Sequence, residues 1–298
     1  MSYRIGIDLG GTKIEVIAIS DDSSTLFRQR ISTPQGNYTA TIDAIDKLVS
    51  LTEQTLSEPA LSVGVGIPGA VSPASGLVKN ANSVCLIGNR LDVDLSNKLQ
   101  RSVKIANDAD CFTLSEACDG AGAGYSTVFG VILGTGVGGG ICVNQQLLSG
   151  PNAITGEWGH NPLPWLKDSD RNNRPCYCGK TDCIETFLSG PGFEKSFSSH
   201  YGKHLSSDQI WSRAKQGNDA LADTHLYLDQ LARALASVIN ILDPGVIVLG
   251  GGLSNQGRIY QELPALLSQY VFSDQVDTPI VKAIHGDSSG VRGAAWLS

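Results

Sequence analysis

Three cysteines and a histidine form the tightest chemical grouping in this sequence. His160 is followed by Cys176-Tyr177-Cys178-Gly179-Lys180-Thr181-Asp182-Cys183. Three thiolates and one imidazole make a Cys3His donor set, and the borderline softness of zinc suits such ligands. Four protein ligands leave no open position, so the spacing predicts a structural zinc held by His160, Cys176, Cys178 and Cys183. The other reading is a chance cluster of cytosolic cysteines. Gly156-Glu157-Trp158-Gly159-His160 stands just before it. A carboxylate and an imidazole three residues apart among glycines can point to one place, and a buried polyol needs a partner for each hydroxyl. If one ring nitrogen of His160 binds zinc, the other carries a proton that it can donate to a sugar hydroxyl. Glu185 offers a further acceptor. Glu157 and Glu185 fit solvated surface positions equally well.

A second kind of chemistry is written in glycine. Asp8-Leu9-Gly10-Gly11-Thr12-Lys13 and Gly134-Thr135-Gly136-Val137-Gly138-Gly139-Gly140 each follow an apolar run. Phosphate oxygens need several backbone N–H donors at close range, and only glycine lets the backbone approach without a Cβ clash. Asp8 could hold Mg²⁺, and Thr12 or Lys13 could then reach phosphate. A tight hairpin turn is the plainer reading of the first segment, but two such turns suit one phosphate chain better than one does. Gly250-Gly251-Gly252 would let an adenine or ribose lie against the backbone, and it fits a helix-entry turn as well. Asn107-Asp108 sits at an expected strand end. Phosphoryl transfer to an alcohol needs a carboxylate that orients the hydroxyl and takes its proton, a role that suits Asp108, with Asn107 on a neighbouring hydroxyl. An Asn-Asp pair before a helix also reads as an N-cap.

The elements that must position these residues alternate. Apolar strands are expected at Arg4–Leu9, Ile14–Ile19, Ser62–Ile67, Val103–Ala106, Val128–Leu133, Ile141–Val143 and Val246–Leu249. Helices are expected at Thr39–Leu56, Leu95–Leu99, about Ala109–Gly120, Leu221–Leu242 and Gly290–Leu297, with Asp243-Pro244-Gly245 stopping the longest. The strand–glycine turn–strand unit appears twice, which suggests two related lobes. The expectation is an α/β protein with two lobes around a cleft. The N-terminal lobe takes 1–120 joined by a C-terminal helix 288–298, and the C-terminal lobe takes 121–287 with an irregular zinc-bound insert at 151–190. A short hinge is expected near Gly120–Gly124.

Bulk properties narrow the partners. Of 298 residues 41% are apolar and 17% charged, enough for a buried core and too few charges for a disordered chain. The net charge of −7 with no Lys/Arg run argues against nucleic acid or an anionic membrane surface. No stretch approaches the roughly 18 apolar residues of a membrane span, and the N-terminus enters a strand without a signal-peptide pattern. A cytoplasmic location is expected, where seven cysteines point to metal rather than disulfides. Cys85, Cys111, Cys118 and Cys142 read as buried fillers.

Taken in order, Asp8–Lys13, Gly66-Ile67-Pro68-Gly69, Asn107-Asp108, Gly134–Gly136, Gly156–His160, the cysteine cluster with Glu185, and Gly250–Gly252 resemble the ROK family (repressor, open reading frame, kinase) within the actin-like, ribonuclease H-like ATPase fold. The resemblance covers essentially the whole chain. It implies an ATP- and Mg²⁺-dependent hexose kinase, with Asp108 as the base and Asn107, Glu157, His160 and Glu185 as sugar ligands. The nucleotide-holding set would be Gly6, Asp8, Gly10, Gly11, Thr12, Lys13, Gly134, Thr135, Gly136, Gly138, Gly139, Gly251 and Gly252. Val78–Ser83, Gly159–Trp165 and His285–Trp296 look most like the bacterial fructokinases, or manno(fructo)kinases. That implies D-fructose as acceptor, with Asn80 and Asn82 also near sugar. The family usually has glycine where this chain has Asp182, a residue that tolerates a left-handed backbone. The family and the long Leu/Ala-rich helix both suggest a homodimer. Mannose, glucose and N-acetylhexosamines are the competing acceptors. A sugar-sensing repressor, also found in the family, would carry a helix-turn-helix before the first lobe, and only Met1–Arg4 precedes it here.

Overall fold

The computed structural model describes residues 2–81, 83–170, 173–217 and 219–297. It groups into two compact units: 1–124 with 140–155 and 284–298, and 125–139 with 156–283. Compared with the lobes expected from sequence, 140–155 joins the first unit.

The first unit opens with β1 (Tyr3–Leu9), β2 (Lys13–Ser20) and β3 (Thr25–Ser32). Next come α1 (Tyr38–Leu56), β4 (Ser62–Ile67), the small pair β5 (Ala70–Val71) and β6 (Val78–Lys79), α2 (Leu91–Leu99), β7 (Val103–Asn107) and α3 (Asp108–Asp119). The sheet runs β3-β2-β1-β4-β7. β1 and β2 are antiparallel, whereas β1, β4 and β7 are parallel. Strand periodicity sorts the two faces. Ile5, Ile7, Leu9, Val16, Ala18, Val63 and Val65 pack with Ile42, Ile45, Leu48 and Val49 of α1 and Leu91 and Leu95 of α2. The alternate residues Ile17 and Ile19 pack with Val291 and Ala295 of the last helix.

The remaining elements are β8 (Thr127–Leu133), β9 (Val137–Val143), β10 (Gln146–Leu147), α4 (Glu185–Leu188), α5 (Gly190–Tyr201), α6 (Ser207–Ala214) and α7 (Asp219–Leu242). They are followed by β11 (Val246–Gly250), α8 (Gly257–Leu267), β12 (Ile280–Lys282) and α9 (Ser289–Ala295). The second sheet runs β10-β9-β8-β11-β12, with β8, β11 and β12 parallel. Strand for strand this repeats the first sheet, so the duplicated glycine-turn pattern corresponds to a duplicated sheet order. β11 is buried throughout. The apolar stripe of α7 buries Tyr227, Leu228, Leu231, Leu235 and Ile239.

Two glycines anchor α9. Gly6 of β1 lies beside Gly64 of β4. A Cβ on Gly6 would stand 2.1 Å from the Val291 carbonyl oxygen, and one on Gly64 2.0 Å from that of Ala294. Gly6, read from sequence as part of a nucleotide cradle, is therefore the seat of a helix. The C-terminal segment is also fixed by Glu116, fully buried on α3. Its carboxylate accepts the N–H groups of Ala121, Ile284 and His285 at 2.9, 3.1 and 3.2 Å and the Ser289 hydroxyl at 2.9 Å. These donors lie close to Gly124, which ends the first segment of this unit, and Ile284, which begins its last.

The expected Pro/Gly-rich insert is irregular, with short helical turns at Trp158–His160 and Asp168–Asp170. Its second anchor is an ion pair absent from the sequence reading. Arg233 of α7 and Asp170 both have fully buried side chains and meet at 2.8 Å. Arg233 also donates to the carbonyls of Pro164 and Trp165 at 3.0 Å each, and Gln230 donates to Asp170 at 2.7 Å. Partners of this kind offset the desolvation of a buried ion pair.

Candidate active site

In the first unit the parallel strands place Asp8, Gly66 and Ala106 in register across β1, β4 and β7. Asp8 therefore stands at the same C-terminal sheet edge from which Asn107 and Asp108 emerge, the edge where open α/β sheets bind ligands. Asp8 is half-buried, and burial is the main cause that pushes its carboxyl up to about 6. The charge of nearby Asp108 adds to this, Glu15 contributes further, and Arg30 opposes. Asp108 opens α3, is exposed, and its Oδ1 accepts the Ala109 N–H at 2.9 Å. Asn107 caps the same helix: its Oδ1 also accepts from Ala109 N–H, at 2.8 Å, and its Nδ2 donates to the Gly69 carbonyl at 3.0 Å.

The first glycine turn joins β1 to β2. It is closed by Gly10 N–H donating to Lys13 O at 2.9 Å and braced by Thr33, whose N–H reaches Thr12 O at 3.0 Å and whose hydroxyl reaches Gly10 O at 2.7 Å. Gly11, Thr12 and Lys13 are exposed. Asn80 follows β6, is exposed and holds a left-handed backbone at φ 56°, a conformation asparagine accepts better than most residues. Asn82 lies outside the described residues.

In the second unit the corresponding turn is shorter than the sequence suggests. Gly134 N–H donates to Gly136 O at 3.0 Å, Thr135 is exposed, and β9 begins at Val137. Gly138 and Gly139 are strand residues rather than turn residues. A Cβ on Gly139 would lie 2.7 Å from Trp158 Cδ1 and 2.9 Å from the Gly156 carbonyl oxygen. Its glycine admits Trp158, whose Nε1 donates to Gly138 O at 3.0 Å and whose ring meets Phe129 edge-on at 5.6 Å. Trp158 thereby fixes its neighbours Glu157 and His160. Glu185, in the first turn of α4, is tied to the same glycine turn, since its Oε2 accepts the Val137 N–H at 2.9 Å. Gly251, φ 82°, and Gly252 follow β11 and are exposed.

The four metal-type groups do meet. One donor atom from each of His160, Cys176, Cys178 and Cys183 lies within 4.8 Å of the others. Cys176 Sγ is 3.6 Å from His160 Nδ1, and the Cys178 and Cys183 sulfurs are 3.6 Å apart. Tetrahedral bonds of about 2.3 Å to sulfur and about 2.0 Å to nitrogen have edges of about 3.5–3.8 Å, close to both of these separations, so the donor set fits zinc. A disulfide would need about 2.05 Å. Asp182 has φ 56°, and its Oδ1 accepts the Arg174 N–H at 2.8 Å. The aspartate thus closes the metal loop with a bond that glycine could not make.

The free edge of His160 differs from expectation. Its Nε2, read as a donor to sugar, lies 2.9 Å from the Tyr177 hydroxyl and 4.0 Å from Glu157 Oε2. Nothing local marks Tyr177, which stands between two cysteines. Its partner is seventeen residues away.

The ROK family model matches residues 4–298. The chain belongs to the ROK family. Among curated relatives, the N-acetyl-D-glucosamine kinase of Yersinia pseudotuberculosis serotype O:1b (strain IP 31758) is 42% identical over 98% of this chain and 97% of its own length. Among solved structures, the ROK hexokinase from Thermus thermophilus superposes with a TM-score of 0.86 at 26% identity, covering 99% of this chain and 97% of its own. A ROK family glucokinase from Streptomyces griseus, solved with glucose and AMPPNP, shares the fold with a TM-score of 0.76 at 24% identity, covering 100% and 99%. With curated relatives at 40–42% identity that are N-acetyl-D-glucosamine kinases, the chain is a ROK sugar kinase, a phosphotransferase. No helix among the described residues is long and apolar enough to cross a membrane.

Proposed function

We propose that this ROK protein transfers the terminal phosphoryl group of ATP to the 6-hydroxyl of a hexose, with Asp108 as general base. The observation that carries the reading is the pairing of carboxylates at one sheet edge, with Asp8 buried enough, and close enough to Asp108, to be pushed up to about 6. Asp108, exposed at the start of α3, accepts the hydroxyl proton as the new O–P bond forms and the bond to ADP breaks. Asp8 offers the kind of hard oxygen donor magnesium takes, and the ion would neutralise charge on the phosphate oxygens. We assign Gly10–Lys13 and Gly134–Gly136 to phosphate, Gly251 and Gly252 to the nucleoside, and Asn107, Glu157 and Glu185 to sugar hydroxyls. The Cys3His set would hold a structural zinc that fixes His160.

N-acetyl-D-glucosamine is the acceptor class supported by the relatives at 40–42% identity. Fructose is the second reading, supported by the fructokinase-like segments Val78–Ser83, Gly159–Trp165 and His285–Trp296. Following ADP release with ATP and N-acetyl-D-glucosamine, fructose, mannose and glucose separates the two. Asp108→Asn should lower kcat by at least about a hundredfold while changing sugar KM little. Undiminished turnover in that variant would remove Asp108 from the mechanism.

A further inference from the structure

Tyr177 is held in an unusual setting. Both neighbours, Cys176 and Cys178, turn their sulfurs into the metal cluster, so its backbone is pinned on both sides and its side chain is 82% exposed. Such an aromatic would ordinarily bury its ring or fold away from a charged surface. Here the ring stands edge-on to His160, with centroids 5.0 Å apart and planes at 90°, and its hydroxyl lies 2.9 Å from His160 Nε2. With Nδ1 facing the cysteine sulfurs, the ring proton belongs on Nε2, which donates to the Tyr177 oxygen. The tyrosine O–H is then left to donate outward. Glu157 approaches the same imidazole edge at 4.0 Å.

One phenol donor, one carboxylate acceptor and an exposed aromatic face thus converge at His160. That is the equipment for reading adjacent hydroxyls of a polyol, with the ring available to its C–H face. We infer that Tyr177 is a sugar-contacting, specificity-determining residue, linking His160 to an acceptor hydroxyl. The inference rests on the hexose-kinase reading above. A zinc-loop spacer needs only a tolerated side chain. A sugar contact needs this hydroxyl.

The test compares the full-length wild type with Tyr177→Phe and Tyr177→Ala, measuring kcat, acceptor KM, ATP KM and bound zinc by elemental analysis. Removing one hydrogen bond should raise acceptor KM about tenfold in Tyr177→Phe, with the loss falling on acceptor KM rather than on kcat or ATP KM. Zinc content should match that of the wild type. Tyr177→Ala should in addition alter the ratio of kcat/KM between fructose and N-acetyl-D-glucosamine. Unchanged acceptor KM and unchanged ratios in both variants would overturn the role of Tyr177. So would a rise in KM that appears only with loss of zinc. A wild type that phosphorylates no hexose would overturn the kinase reading instead, which keeps the two failures apart.

Discussion

Asp8→Asn should make the ligand-free protein more stable while stopping its chemistry. Burial, with Asp108 close by, pushes the Asp8 carboxyl from 3.8 to about 6. A proton therefore binds the folded chain more tightly than the unfolded one. Between pH 4 and 6 the native state holds the extra proton, so stability falls as pH rises through that window. The penalty is absent below about pH 3 and complete above about pH 7. Two pK units at 1.36 kcal/mol each put it at about 3 kcal/mol, with about a third already present at pH 4.5. Asparagine keeps the shape and removes the charge. At 2–4 °C per kcal/mol, Tm at pH 7.5 should rise by about 6–12 °C, and the gap should shrink steadily as pH is lowered to 4.5. Thermal unfolding of both proteins across that range, without nucleotide or divalent ion, measures it. Magnesium with ADP should then stabilise the wild type more than Asp8→Asn, because the cation offsets a buried charge that the amide has already removed. A variant no more stable than wild type at pH 7.5, or a gap independent of pH, would refute the account of Asp8 as a strained, cation-seeking carboxylate.

Two further substitutions probe the supports of the site. Cys178→Ser removes the exposed ligand of the Cys3His cluster. Elemental analysis should show zinc lost, and limited proteolysis should cut between residues 160 and 185 where the wild type resists. Glu116→Gln replaces one carboxylate oxygen, which accepts two hydrogen bonds, with an amide nitrogen facing donors. Leaving buried N–H groups unsatisfied should cost about 3 kcal/mol, read as a Tm lower by about 6–12 °C.

The parts of this protein legible in its sequence are those whose signal is local. Ser62–Ile67 is a strand in both readings because a short run of apolar and small residues ends at the Pro68-Gly69 stop. The long helix begins at Asp219 and ends at Leu242, where Asp243 takes a left-handed φ of 46° before Pro244. The Cys3His set was legible because few side chains can bind zinc and their spacing is tight. Misreadings arose where one residue type answers to two physical demands. Gly138 and Gly139 look like a turn by propensity, yet they are strand because Trp158, nineteen positions beyond Gly139 and unmarked by any short motif, needs the volume of a missing Cβ. Gly6 reads as a phosphate-cradle residue but serves a helix from the other end of the chain. Arg28 and Arg30 obscured β3, an edge strand whose arginines pair with buried Glu15 on β2. Tyr177, Arg233 and Glu116 share one difficulty. Each looks ordinary among its sequence neighbours and acquires a role only from a group that folding brings alongside: an imidazole, an aspartate, or the amides of a segment about 170 residues away. A residue's chemistry can be read locally when its type is rare, but polar residues of common type declare themselves only through partners. In this chain those partners hold the insert and the C-terminal segment in place, and so position His160 and the sheet edge that carries Asp8 and Asp108.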